Sequence, residues 1–193
     1  MSLDNVLQSF PQLETTDLVL RRMQETDSGA LFRILADNEV TKYYDDGPFT
    51  DISQATDQIK AWENGFLNKR CIRWGIARKG EREIIGSCGY YGFHTWHMRA
   101  SIGYELARSS WRQGIMTEAL EAIIDLGFGV MNLNRIDAVV IPENEASIKL
   151  LEKLGFLNEG LLKEFENWGS KGYVDLYMFS LLRKEWNIKS RAS

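Results

Sequence analysis

One stretch of the chain combines residue types that could hold a phosphorylated ligand. Ile102-Gly103-Tyr104-Glu105-Leu106-Ala107-Arg108-Ser109-Ser110-Trp111-Arg112-Gln113-Gly114-Ile115-Met116-Thr117-Glu118-Ala119 reads as a strand passing through a short loop into a helix, with Gly114 at the helix opening. The first turn of a helix presents backbone N–H groups without intrahelical partners and carries a partial positive charge. A glycine there lets a diphosphate come close to the main chain, and Arg112 supplies a guanidinium for a charge-assisted contact. The same residues also describe a plain loop and helix start. The chain lacks the Gly-Lys-Ser/Thr ending of a nucleoside-triphosphate loop, and Gly86, Gly89 and Gly92 do not have the spacing of a dinucleotide fingerprint.

Other reactive residue types say less. His94 and His97 are accompanied by no third or fourth ligand at metal spacing, so no metal site is expected. Cys71 and Cys88 form no CxxC pair and read as two half-buried thiols in a reducing compartment. Trp96, Tyr43, Tyr44 and Trp168 belong either to the core or to the lining of an acceptor pocket. The loop Tyr43–Pro48 is acidic and aromatic, which would suit a cation.

These residues need elements to hold them. Leu18–Arg21 reads as a first strand, and Thr26 could cap a helix in which Leu31, Ile34 and Leu35 recur at helical spacing. A second helix is predicted over Ile52–Leu67, with Ile59, Trp62 and Phe66 on one side. Two strands follow, around Trp74–Ile76 and Ile84–Ile85, joined by Arg78-Lys79-Gly80-Glu81. After a turn near Trp96 and His97 come a strand Ala100–Leu106, a helix Gln113–Met131, a strand Ile136–Ile141 and a helix Asn144–Leu154 ended by Gly155. Asn144 is placed to accept hydrogen bonds from the start of its own helix. Strands near Leu161–Glu166 and Val174–Leu181 close the domain. The order implies an α+β fold with a mixed sheet, antiparallel in its first half and parallel where a helix separates two strands.

The bulk properties exclude several classes. With 193 residues, 44% hydrophobic and 26% charged, the chain suits one domain, taken as 1–188, followed by a polar tail 189–193. A net charge of −4 argues against general binding to nucleic acid or anionic membranes. Asp4 precedes any basic residue and the apolar stretch at Val6 and Leu7 is short, so no secretory leader is read. No apolar run approaches a membrane span, and a cytoplasmic location is expected.

Trp111-Arg112-Gln113-Gly114-Ile115-Met116 resembles the cofactor-binding motif Q/R-x-x-G-x-G/A of the GNAT N-acetyltransferases. Trp in the first place is the variant of the RimJ/RimL-type branch. Met in the last place is a departure, tolerable if its side chain points away from the diphosphate. Pro142-Glu143-Asn144-Glu145-Ala146-Ser147-Ile148-Lys149-Leu150-Leu151-Glu152-Lys153-Leu154-Gly155-Phe156 is similar to the family's N-x-x-S/A…K-x-G-F segment. Leu18-Val19-Leu20-Arg21-Arg22 with Glu25-Thr26-Asp27, and Glu159-Gly160-Leu161, also match the branch, so the resemblance runs from about Leu13 to Trp186.

The resemblance implies a single GNAT-like domain: a mixed, mostly antiparallel sheet of roughly six or seven strands with a central splayed parallel pair, flanked by about four helices. It implies acetyl-CoA as co-substrate and transfer to a primary amine in a ternary complex. The acceptor would be a protein N-terminus, such as that of a ribosomal protein, or a small amine; a non-catalytic acyl-CoA-binding module is the other reading. Nucleic acid and membrane are not expected as partners, and a homodimer is compatible with the branch. Leu106 and Ala107 would pair with the pantetheine arm, the Leu106 N–H polarising the thioester carbonyl. Arg108, Arg112, Gln113, Gly114, Met116 and Thr117 would form the diphosphate loop. Asn144 would touch pantetheine. Many members place a Tyr seven residues after that Asn to protonate the sulfur; here the position is Leu151. In the RimL-like branch a Ser three residues after it takes the role, here Ser147, and a strand Glu acts as base, here Glu166, with Glu105 as the other candidate. Water could equally remove the amine proton.

Overall fold

The computed structural model describes residues 8–186. Asp4, Val6 and Leu7, read above for a leader, and the tail 189–193 lie outside the described residues.

Eight strands form one sheet: β1 (Leu13–Glu14), β2 (Leu18–Arg22), β3 (Cys71–Arg78), β4 (Ile84–His94), β5 (Arg99–Leu106), β6 (Arg135–Val140), β7 (Leu157–Asn167) and β8 (Tyr173–Leu182). Their spatial order is β1-β2-β3-β4-β5-β6-β8-β7, and every neighbouring pair is antiparallel except β5 and β6. The helices are α1 (Ser28–Leu35), α2 (Asn38–Thr41), α3 (Ile52–Leu67), α4 (Ile115–Gly129), α5 (Glu145–Leu154) and a last turn, α6, at 183–186. Among the described residues no helix is long and apolar enough to cross a membrane.

The sheet is covered on both faces, which explains its runs of buried residues. α4 buries Ile115, Met116, Ala119, Leu120, Ile123, Ile124 and Phe128 against one face, together with Leu151 and Leu154 of α5. Gly127 is required in α4: a Cβ there would collide with the Tyr90 hydroxyl, which donates to the Ile123 carbonyl at 2.7 Å. A smaller cluster on the opposite face joins Leu31 and Leu35 of α1 to Ala55 and Ile59 of α3 over Met23 and Ile84. α3 begins where the sequence puts it because Asp51 accepts from the Ser53 N–H at 2.8 Å and Gln54 accepts from the Asp51 N–H at 3.0 Å.

The sequence reading is corrected in detail. The sheet has one strand more than expected, since Leu13–Glu14 pairs with β2 despite being two residues long. α2 is a one-turn helix too short to show a period. Thr26 does not cap α1: it lies inside a 3-10 turn, Glu25–Asp27, where the Asp27 carboxylate takes the Gln24 N–H at 2.8 Å and the Arg21 guanidinium at 2.8 Å. α4 starts at Ile115 rather than Gln113, because Gly114 adopts φ 80° and so stands outside the helix as its cap.

Candidate active site

β5 and β6 pair as parallel strands over three positions only: Arg99 with Arg135, Ala100 with Ile136 and Ser101 with Asp137. Beyond these, β5 runs on to Leu106 paired with β4, and β6 runs on to Val140 paired with β8. The two strands thus enclose a wedge. Its closed end is pinned by the buried Asp137, which accepts from the Ser101 hydroxyl and lies 3.4 Å from Arg99 and 3.5 Å from Arg135. Glu159 of β7 extends the cluster, taking Arg135 at 2.7 Å and the Ser180 hydroxyl at 2.6 Å.

The Ala107 N–H donates to the Ile85 carbonyl at 2.8 Å. Backbone direction alternates along a strand, so Leu106 and Tyr104 turn their N–H and C=O toward the wedge. The Leu106 carbonyl is already held, by the Trp111 indole N–H at 2.8 Å, which leaves the Leu106 N–H aimed into the wedge. At Ala107, expected to offer its backbone to a ligand, the N–H serves β4, and the carbonyl accepts from the Ser110 N–H at 2.9 Å with one lone pair to spare.

The loop after β5 makes one 3-10 turn, Arg108–Ser110, and is tied down at both ends. Trp111 clamps it to the strand. Gln113 donates to the Ser109 carbonyl at 2.8 Å and accepts from Arg78 at 2.5 Å, so its side chain shapes the loop. Gly114 then opens α4 in the left-handed region with open space where a Cβ would stand. The first intrahelical bond of α4 is Glu118 N–H to the Gly114 carbonyl, 3.0 Å. The N–H groups of Ile115, Met116 and Thr117 therefore have no partner within the helix. The Met116 side chain is buried in the core, away from that surface, which removes the objection to Met at this motif position. The Glu118 carboxylate is drawn aside onto the Asp17 N–H at 2.8 Å. Lys153, from the last turn of α5, reaches Thr117 Oγ1 at 3.4 Å and brings a cation to the first turn of α4, and Arg112 is exposed on the loop before it. This rim has the donors and positive charge that a diphosphate needs.

At the mouth of the wedge, Asn144 caps α5 by accepting from the Ser147 N–H at 3.2 Å. Ser147 Oγ in turn lies 2.6 Å from the Tyr104 hydroxyl of β5. Burial pushes the Tyr104 phenol up to about 12, the Ser147 hydrogen bond pulls it down, and nearby Tyr91 adds to the rise. Leu151 is wholly buried and takes no part.

The other face of β5 carries Glu105, 6% exposed. Its carboxylate is bound by the Arg73 guanidinium and the Ser87 hydroxyl, with the Tyr44 hydroxyl donating at 3.2 Å. Arg73 is held in turn by Ser87 at 2.6 Å, the Gly103 carbonyl at 2.7 Å and the Trp62 ring at 5.0 Å. These partners occupy both oxygens of the carboxylate with hydrogen bonds. Glu166, on β7, is exposed and accepts from the Trp168 indole at 3.1 Å. Burial, and then the charges of Glu166 and Asp137, raise the Tyr91 phenol. Tyr44 ionises far above the ordinary phenol range through burial, reinforced by the Glu105 charge. The loop that carries it is tied across the site by Tyr43 to the Glu143 carbonyl, 2.9 Å, and by Lys171 to the Tyr44 carbonyl, 2.6 Å. Cys88 is buried and its thiol is pushed up to about 12 by that burial, which rules it out as a nucleophile at neutral pH. The His94 and His97 rings lie 6.4 Å apart and tilted by 49°, and among the described residues no group of three or more His, Cys, Asp or Glu could hold a metal ion.

The family model for an acetyltransferase (GNAT) domain matches residues 17–157. The chain belongs to the GNAT acetyltransferases. A relative of Bacillus licheniformis, the uncharacterized N-acetyltransferase p20, is 45% identical over 175 residues, 90% of this chain and 97% of the relative. Among solved structures, a GNAT-family acetyltransferase from Bacillus anthracis is 25% identical with a TM-score of 0.79, covering 91% of this chain and all of that one. RimJ of Mycobacterium smegmatis in complex with CoA-disulfide is 26% identical with a TM-score of 0.76, covering 87% of this chain and 83% of that one. This GNAT enzyme is thus an acetyl-CoA-dependent acetyltransferase, and the wedge with its N–H-lined rim is a fitting place for the co-substrate.

Of the residues singled out in the sequence, Leu106, Arg112, Gln113, Gly114, Met116, Thr117, Asn144 and Ser147 border the wedge or its loop, and Arg108 lies exposed beside it. Glu105 stands on the other face of β5, and Glu166 is exposed on the margin strand β7. Tyr44, read from the sequence as core or acceptor-pocket lining, bonds Glu105; sequence reasoning missed Arg73 and Ser87 around that carboxylate, and Tyr104 beside Ser147. The first set follows from strand register, Ser87 lying opposite Glu105. The Tyr104–Ser147 pair spans 43 positions, with no local pattern to mark it.

Proposed function

We propose that this GNAT enzyme transfers the acetyl group of acetyl-CoA to a primary amine by direct attack in a ternary complex. The observation that supports this most is the wedge between β5 and β6, with the Leu106 N–H directed into it and a hydroxyl pair at its mouth. The diphosphate would rest on the N–H groups of Ile115, Met116 and Thr117, flanked by Arg112 and Lys153, with pantetheine passing along β5 toward Asn144. The Leu106 N–H would hold the thioester oxygen as negative charge develops on it, often the largest catalytic contribution. The neutral amine attacks the carbonyl carbon, the C–N bond forms, the C–S bond breaks, and sulfur takes a proton from Ser147. Glu166 is the better candidate for receiving the amine proton, because its carboxylate is accessible whereas that of Glu105 is bound by three partners. Glu105 instead anchors the floor of the acceptor side.

The acceptor enters on the face that bears Tyr44, Tyr91 and Glu166. The acidic loop with Asp45 and Asp46 borders it, which favours a cationic amine: a protein N-terminus, including that of a ribosomal protein, or a small polyamine-like molecule. The place of action is the cytoplasm. A homodimer formed through β7 suits a margin strand with Leu157, Leu161 and Phe165 exposed. The deciding experiment is thiol release from acetyl-CoA against a panel of amines and N-terminal peptides, with mass detection of the acetylated product. Acetyl-CoA binding without turnover on any amine would end the reading.

A further inference from the structure

The hydrogen bond between Tyr104 and Ser147 joins the two sides of the wedge where strand pairing has already ceased. Tyr104 belongs to the part of β5 beyond the ladder with β6, and Ser147 to the first turn of the helix that follows β6. A serine hydroxyl in a helix can bond the carbonyl four residues back. Here that carbonyl, Glu143, accepts the Tyr43 hydroxyl at 2.9 Å, and Ser147 Oγ turns to the phenol at 2.6 Å. The Tyr104 ring packs against the apolar core under α4, which fixes the hydroxyl rather than leaving it to rotate through solvent.

We infer that Tyr104 is a positioning residue for the acid step: its O–H donates into Ser147 Oγ, so that the one remaining Ser147 proton is aimed at the sulfur of coenzyme A. This rests on the acetyl-transfer reading above. A hydroxyl has one proton and two lone pairs. Free in the helix, Ser147 would direct that proton to any nearby carbonyl. With a donor from Tyr104 occupying one lone pair, the proton is left to point into the wedge, the space the thioester enters. During transfer the C–S bond breaks, sulfur takes the Ser147 proton, and Ser147 regains one from solvent as Glu166 gives up the proton of the amine; Tyr104 keeps its own. The geometry thereby supplies the sulfur with a donor although Leu151 stands where a tyrosine would otherwise serve.

The test uses the full chain with Tyr104→Phe, Ser147→Ala and the double variant. Phe retains the ring and removes the hydroxyl, and thermal melting checks that the core survives. Two readouts are followed: kcat with the best amine of the panel, and ionisation of the thiol of bound CoA, monitored by thiolate ultraviolet absorbance against pH. Tyr104→Phe should lower kcat on the order of tenfold, the loss of one oriented hydrogen bond, while leaving the KM for acetyl-CoA within about twofold. It should also move thiol ionisation of bound CoA to higher pH, because the thiolate loses an aimed donor. The double variant should be no slower than Ser147→Ala alone, since both act through one proton. Unchanged kcat and thiol ionisation in Tyr104→Phe, with CoA still bound, would overturn the role of Tyr104 alone; so would multiplicative losses in the double variant. Failure of the parent protein to bind CoA would instead overturn the acetyl-transfer reading, and this inference with it.

Discussion

At Gly114 the chain needs a left-handed backbone and leaves empty space where a side chain would begin. Gly114→Ala should therefore cost about 1 kcal/mol through backbone strain and leave the fold intact. Gly114→Asp should be similar in stability yet lose acetyl-CoA binding, because a carboxylate would sit on the N–H-lined rim; calorimetric titration of both variants decides this, and equal affinities would remove the loop from the site. Arg73 poses the opposite case. Arg73→Leu leaves Glu105 buried with an uncompensated charge, at a cost of about 3 kcal/mol in denaturant unfolding, while Arg73→Leu with Glu105→Gln should recover much of the loss. If the single variant is as stable as the parent, the pair contributes nothing and Glu105 is free for other work.

Among the elements, the β5–β6 wedge depends on its closed end. Asp137, Arg135, Glu159 and Ser180 tie β5, β6, β8 and β7 together there. The Glu159 carboxyl is held down at about 2, first by the Arg135 hydrogen bond and then by Ser180. Its ordinary value of 4.5 is higher, so the carboxylate stabilises the fold fully above that pH and loses this effect as pH falls toward about 2. Glu159 is 39% exposed, and solvent screening limits the gain to about 1 kcal/mol or less. Glu159→Gln should thus be less stable than the parent at neutral pH and equal to it near the acid limit. Unfolding curves across the acid range test this; a gap that does not narrow would show that the ion pair is not its source.

For the whole molecule, β7 lies at the sheet margin with nearly all its residues exposed, Phe165 half so and Tyr173 of β8 more. A margin strand with exposed apolar residues invites pairing with another chain. Sedimentation of the parent chain should show a dimer, and Phe165→Glu should give a monomer. A parent that sediments as a monomer at all concentrations removes the β7 dimer from the proposal.

The order of the longer elements was readable because α3, α4 and α5 carry local signals: Asp51 with Gln54, Gly114, and Asn144 through Gly155 act within one turn of the positions they control. The order of strand, glycine loop and helix likewise placed the diphosphate rim. Pairings between distant strands had no such signal. That the β5–β6 ladder ends at Ser101, that Ala107 serves β4 while Leu106 faces the wedge, that Arg73 closes over Glu105 and that Tyr104 meets Ser147 all depend on register and packing across 14 to 43 positions. Caps and helix periods are set by neighbours along the chain, whereas the surroundings of a buried hydroxyl or carboxylate are set by whichever strand lies beside it, and only the folded sheet determines that.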